Sequence, residues 1–302
     1  MRSEITLHTG IDHRGMERTG VCCSSSVNLE YFDDWRSDEQ FIADVTTFLD
    51  NVIQVFIDRS ELYKGFEHSR YSAMRERSVG LGVMGFHYML QKKSMPFESE
   101  EAKAINKEIF KHISDRSKET SIDLANKRGA CPDMQEAGIN ERLTHVTAIA
   151  PTATISIVTD SSPSIDPITS NVINHKSLSG TYEIKNRVLK ERLASMGQDT
   201  METWQKIRIN GGSVSALTFL TKHEKDVFKT AFEIDQSAVV NLAADRVDYI
   251  CQAQSVNLFF EANAQKKEVG EVHYLAWKKG LKSLYYYRSM GEKVSNECSV
   301  CQ

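Results

Sequence analysis

The chain has 302 residues, 40% hydrophobic and 26% charged, a balance that suits a globular protein with one large domain or two smaller ones. A formal charge of −4 over that length, with no long basic stripe, excludes the electrostatic footprint of a nucleic-acid binder. No apolar run reaches bilayer-crossing length, and the opening MRSEITLHTG lacks the apolar core of a secretory signal. A cytoplasmic location is therefore expected, with no membrane partner. The six cysteines, Cys22, Cys23, Cys131, Cys251, Cys298 and Cys301, are then expected mostly as free thiols.

In chain order, SEITLHTG alternates as a strand does from the third residue. From Ser37 the pattern is helical: Ser37 and Gln40 can form a capping box, and Phe41, Val45, Phe48, Leu49, Val52 and Phe56 recur at helical spacing. GLGVMG, Gly80 to Gly85, has the spacing of a dinucleotide-binding loop. The charged YSAMRERS before it is no buried strand, however, and no acidic residue closes a following strand at the usual distance, so these glycines are read as close-packing positions. Ser99 can cap a second long helix with Ala102, Ile105, Ile109 and Ile113 on one face and Gly129 past its end.

HVTAIAP is a short apolar run stopped by proline, as in a buried strand. It leads into the hydroxyl-rich APTATISIVTDSSPS, where a helix start would offer backbone N–H groups to an anion such as phosphate; a plain Thr/Ser loop has the same composition. SAVVNLAADRVDYI reads as helix and SVNLFF as strand. Val269, Val272, Leu275 and Ala276 mark a further helix that Gly280 stops, and KSLYYYR reads as a last strand. Beyond Arg288 the sequence is polar and aperiodic, as in a disordered tail. Helices alternating with short apolar strands give an α/β fold.

Cys298 and Cys301 have metal-ligand spacing without a second pair to complete a site. They read either as incidental thiols or as a dithiol that exchanges electrons on a mobile tether. The second reading needs another redox cysteine, and Cys22 in TGVCCSSSVNLE is the candidate, against an ordinary core or turn run; Cys131 and Cys251 are assigned to packing. Tyr285, Tyr286 and Tyr287 are core packing or a radical path. The latter requires neighbouring rings to stack, which a regular strand forbids.

In their order, CCSSSVNLE, RSVGLGVMGFHYML, APTATIS, ICQAQSVNLFF, GLKSLYYYR and a Cys-rich terminus resemble the C-terminal part of the large, catalytic subunit of class I ribonucleotide reductase, across essentially the whole chain. The resemblance implies the second half of a ten-stranded α/β barrel (1–205), a small C-terminal α/β region with a tyrosine relay (206–288) and a flexible redox tail (289–302). It implies reduction of ribonucleotides, normally diphosphates, to deoxyribonucleotides by a radical mechanism. By position, Glu4 matches the carboxylate that takes the 3′-hydroxyl proton and Cys22 the interior reducing cysteine. Pro151, Thr152, Ala153, Thr154 and Ile155 match the loop that holds the substrate phosphates. Tyr285 and Tyr286 match the relay pair, and Cys298 and Cys301 the tail dithiol that re-reduces the interior disulfide.

Arg2 stands where the family has its radical cysteine, and the second interior cysteine, the catalytic asparagine and the allosteric sites would lie upstream. A split-gene product is therefore expected, working with an N-terminal half of the large subunit, a small radical-generating subunit and thioredoxin or glutaredoxin. No cofactor is expected on this chain; a metal cofactor of the small subunit supplies the radical. The alternative is a non-catalytic fragment that binds the small subunit or the other half without turnover.

Overall fold

Where helices separate successive strands, the strands run parallel, and that alternation governs this chain. A computed structural model describes residues 3–177 and 180–290; the tail dithiol Cys298 and Cys301 lies outside them. Two short antiparallel strands, β1 (Gly10–Ile11) and β2 (Glu17–Arg18), precede β3 (Cys23–Asn28). Helices α1 (Phe32–Trp35), α2 (Glu39–Ser60) and α3 (Glu67–Glu76) return the chain to β4 (Val79–Met84). Next come α4 (Phe86–Lys92), α5 (Glu100–Arg128) and α6 (Pro132–Glu136), an extended run at 145–149, and α7 (Ala153–Val158). The hairpin β5 (Val172–Ser177) and β6 (Gly180–Lys185) is followed by α8 (Arg187–Ser195), α9 (Met201–Ile209), α10 (Lys222–Val227) and α11 (Gln236–Asp245). The last elements are β7 (Leu258–Phe260), α12 (Lys266–Lys278) and β8 (Tyr287–Ser289).

Five extended segments succeed one another in parallel. β3 pairs with β4 from Cys23 opposite Val79 to Asn28 opposite Met84. β4 meets the 145–149 run at Leu81 and Thr147, and that run meets the next at Ile149 and Gln254. β7 then pairs with β8, Leu258 opposite Tyr287. This is a partial α/β barrel, and two of its five segments lie beyond the division expected at residue 205. No helix among the described residues is long and apolar enough to cross a membrane.

β4 is buried along its whole length, as a strand with neighbours on both sides and helices above it must be. Ile42, Leu49, Ile53 and Ile57 of α2 and Ala102, Ile105, Ile109 and Ile113 of α5 cover the core around Val79, Leu81 and Val83. The second helix is as expected: Ser99 accepts from the Ala102 N–H and Gly129 caps the end. The first differs. Asp38, not Ser37, is its N-cap, accepting from the Gln40 N–H at 2.9 Å. Its buried stripe lies one residue on from the expected one, leaving Phe48 exposed. SEITLHTG forms no strand before Gly10, whereas HVTAIAP is extended as expected: its bridges fall at Thr147 and Ile149, and its main chain bonds to Val79 and Leu81 on one side and to Gln252, Ala253 and Ser255 on the other.

Gly80 and Gly82 of GLGVMG are strand residues and Gly85 is the left-handed N-cap of α4, so the dinucleotide-loop reading is rightly set aside. A Cβ on Gly82 would stand 2.5 Å from the Ala148 carbonyl oxygen, a backbone atom with little room to retreat. Gly82→Ala should therefore lower stability by about 1–3 kcal/mol through overpacking, read as a reduced urea midpoint; an unchanged midpoint would show that the 145–149 run yields freely.

Candidate active site

Cys22 is placed from both sides. Four residues upstream, Arg18 is buried and binds Asp12 Oδ2 at 2.9 Å, both oxygens of Asp133 at 2.5 and 3.0 Å, and Glu76 at 3.3 Å. These bonds fix the β1–β2 hairpin against α3 and α6 and so set where the chain enters β3. On the other side, the Gln252 amide donates to Cys22 Sγ at 3.4 Å and to the Val79 carbonyl at 3.0 Å, while its oxygen accepts from the Thr6 N–H at 3.2 Å. One fully buried amide thus ties the thiol, β4 and the 3–6 segment together. Gly80 makes the space, since a Cβ there would lie 3.0 Å from Cys22 Sγ. Burial pushes the Cys22 thiol up to about 11; the Gln252 hydrogen bond opposes this, and Cys23, Glu4 and Cys251 add to it.

Glu4 is fully buried. Its carbonyl accepts from the Ala253 N–H at 2.9 Å, and its Oε2 accepts from the Ser255 hydroxyl at 2.5 Å. Among the lesser causes, Glu4 acts through space on both Cys22 and Tyr285 and raises each. For Tyr285 the larger causes are its hydrogen bond with Tyr286 and its burial. Glu4, Cys22 and Tyr285 therefore share one electrostatic neighbourhood, although they are far apart in sequence.

The Tyr285 and Tyr286 rings lie 4.0 Å apart between centroids at 47°. They can do so because β8 begins only at Tyr287, so KSLYYYR is strand at its end and not throughout. The main chain is nevertheless pinned, with Tyr285 N–H on the Val256 carbonyl at 2.8 Å and Leu258 N–H on the Tyr286 carbonyl at 3.0 Å. Tyr286 is exposed and carries the Arg288 guanidinium 4.6 Å above its ring, whereas Tyr285 is half-buried. Tyr287 instead stacks on Phe260.

Pro151 to Ile155 follow the C-terminal end of the 145–149 run, the end of a parallel strand at which α/β proteins bind ligands. Thr152 takes the left-handed conformation (φ 51°), and its hydroxyl accepts from the Ser164 N–H at 2.7 Å. Ala153, Thr154 and Ile155 open α7 exposed, where a helix's first N–H groups have no partner in the helix itself.

Cys131 is buried in packing as expected, but Cys251 is not. It is exposed, and its sulfur accepts from the Val146 and Thr147 N–H groups, both at 3.1 Å, closing the edge of the 145–149 run. Gln252 and Ser255 were also missed. Their signal was polar residues inside ICQAQSVNLFF, a run that otherwise reads as a buried strand and so must satisfy each polar group internally.

A partial α/β barrel that brings a thiol and a carboxylate together is the class these observations define. A model of the ribonucleotide reductase barrel domain matches residues 3–145 and 137–287. The ribonucleoside-diphosphate reductase large subunit of Invertebrate iridescent virus 3 is 41% identical over 94% of this chain and 48% of that protein. The putative ribonucleoside-diphosphate reductase large subunit of Frog virus 3 (isolate Goorha) is 40% identical over 99% of this chain and 54% of its own length. The Actinobacillus ureae class Id ribonucleotide reductase alpha subunit superposes with a TM-score of 0.82 and 37% identity, over 89% of this chain and 49% of that one. The chain belongs to the ribonucleotide reductase barrel-domain family. It spans about half the length of the curated relatives it matches, the C-terminal part.

The half-buried, protonated thiol of Cys22 has a direct check. Near pH 8, iodoacetamide should label exposed Cys251 well before Cys22, whose rate should climb about tenfold per pH unit as the thiolate forms. Peptide mass spectrometry follows both, and equal rates near pH 8 would contradict the shielding of Cys22.

Proposed function

We propose that this chain supplies one half of the active site of a ribonucleoside-diphosphate reductase large subunit. It would reduce ribonucleoside diphosphates once joined by a polypeptide carrying the N-terminal half and by a small radical-generating subunit. The observation that carries this reading is the 252–255 run of a chain of this family, where Gln252 holds the Cys22 thiol and Ser255 holds the Glu4 carboxyl.

The chemistry replaces the 2′-hydroxyl of the ribose by hydrogen, with water leaving. Glu4 takes the 3′-hydroxyl proton, a task for a positioned carboxylate held off bulk water. Two electrons and two protons come from Cys22 and a second thiol on the other half, leaving a disulfide. A thiol pushed up to about 11 stays protonated until it is used, which suits a hydrogen donor better than a free nucleophile. The hydrogen-abstracting sulfur belongs to the part of the large subunit that this chain does not span. Tyr286 at the surface and Tyr285 behind it pass the radical inward from the small subunit, whose metal cofactor generates it; this chain binds none itself. The amides and hydroxyls of Pro151 to Ile155 hold the substrate phosphates. Cys298 and Cys301 reduce the interior disulfide by exchange and are in turn reduced by thioredoxin or glutaredoxin.

Mixing the chain with an N-terminal half, a small subunit and thioredoxin should give deoxynucleotide formation. Glu4→Gln should lower turnover by about 100-fold or more, and Cys22→Ser and Tyr286→Phe should abolish it. Cys298→Ser should remove turnover with thioredoxin but keep it with a small dithiol. Verified assembly without turnover would sink the catalytic reading and leave a binding fragment.

A further inference from the structure

Beyond the candidate phosphate loop lies a buried carboxyl with no cation against it among the described residues. Asp166 is 5% exposed, and its Oδ2 accepts from Asn257 Nδ2 at 2.6 Å. Asp166 Oδ1 and Asn257 Oδ1 are both buried and, among the described residues, without a partner. If the carboxylate were ionised, both of these atoms would be acceptors lacking a donor. Buried polar groups are seldom left so.

The charged groups nearby do not relieve this. Arg246, at the end of α11, commits Nε to Gln254 at 2.6 Å and Nη1 to Asn106 at 2.9 Å. Arg288 of β8 lies over the Tyr286 ring. Both attract a negative Asp166 through space, yet among the described residues neither is paired with it. His87 of α4 accepts from the Ile168 N–H at 3.0 Å and is neutral, since burial pushes it down to about 3.

We propose that Asp166 is held as the neutral acid and forms a cyclic acid–amide pair with Asn257, its Oδ1–H donating to Asn257 Oδ1 while Asn257 Nδ2–H donates to Asp166 Oδ2. A single proton then satisfies both unpartnered oxygens. Burial raises the Asp166 carboxyl to about 7, outweighing the Asn257 hydrogen bonds and the two arginines that pull it down.

The pair joins two parts of the site. Asp166 follows Ser164, whose N–H is bound to the Thr152 hydroxyl, and its own N–H is held by the Pro163 carbonyl. Asn257 lies between Val256 and Leu258, whose main-chain atoms hold Tyr285 and Tyr286. Asp166 is thus a positioning residue, and in the function proposed above, on which this part rests, its proton couples the phosphate loop to the tyrosine relay.

Asp166→Asn can keep both bonds, its own amide donating to Asn257 Oδ1, whereas Asp166→Ala cannot. The infrared spectrum of wild type minus D166N near pH 6 should contain the C=O band of a protonated carboxyl. That band should fade as the pH rises through about 7. A carboxyl raised above its unfolded value stabilises fully below the unfolded pKa and loses that contribution up to the folded one. Relative to D166N, the wild-type thermal midpoint should therefore fall from about pH 4 to pH 7 and then level off. At fixed pH, D166A should raise hydrogen exchange in both 153–158 and 285–287, and D166N in neither. Absence of the band, or D166N as unstable as D166A, overturns the pair in favour of an ionised carboxylate bridged by water. None of these readouts needs turnover, so the pair and the reductase reading fail separately.

Discussion

The site depends on how closely β4 approaches its neighbours. A parallel array holds neighbouring strands about 5 Å apart, and side chains normally fill what lies above and below. At Gly82 the 148 carbonyl occupies the place of a side chain, and at Gly80 the Cys22 sulfur does. The absence of two Cβ atoms thus lets a thiol and a neighbouring main chain press onto the middle strand. Gln252 exploits the same closeness, since its amide reaches Cys22, Val79 and Thr6 at once. A bulkier β4 would part these groups.

Much of the fold was legible because its signals are local. Ser99 and Gly129 bracket α5, and the apolar repeat between them is buried where periodicity puts it. The close-packing role of the glycines followed from excluding a loop in a charged context. What failed was set by tertiary structure. Asp38 and Ser37 are equally able caps, and the one that wins is decided by which face of α2 meets α5. SEITLHTG alternates properly, yet it contacts the 252–255 run through isolated hydrogen bonds and no continuous ladder. Thr152 in a left-handed turn, with its hydroxyl bound to a residue twelve further on, has no signature in composition.

Within the site, Glu4, Cys22 and Tyr285 were legible only as members of an ordered set of motifs. Each alone has an ordinary structural use. Their juxtaposition depends on the chain returning at 251–257 between the 145–149 run and β8, and no spacing rule foretells that return. The supporting groups were overlooked for the same reason. Gln252 and Ser255 serve as ligands of other side chains, and such a role appears only when the far partners are in place.

The buried charges divide by how many hydrogen-bonding partners of opposite charge surround them. Asp50 is enclosed by Arg77, Arg128 and Arg142, at 2.7 to 3.2 Å, and Arg18 by three carboxylates, so desolvation is offset by several charge-assisted bonds. Both clusters pin helices and hairpins at the periphery of the array. Asp166 has only Asn257 as donor, through its side-chain amide and its main-chain N–H, and no guanidinium in contact among the described residues, and the same desolvation then favours the uncharged form. Its place at the junction of loop and tyrosine strand suits that form, because a neutral pair adds no negative field beside the first amides of α7. Charge is thus concentrated where rigidity is required and withheld where the 151–155 loop meets the strand that carries Tyr285 and Tyr286.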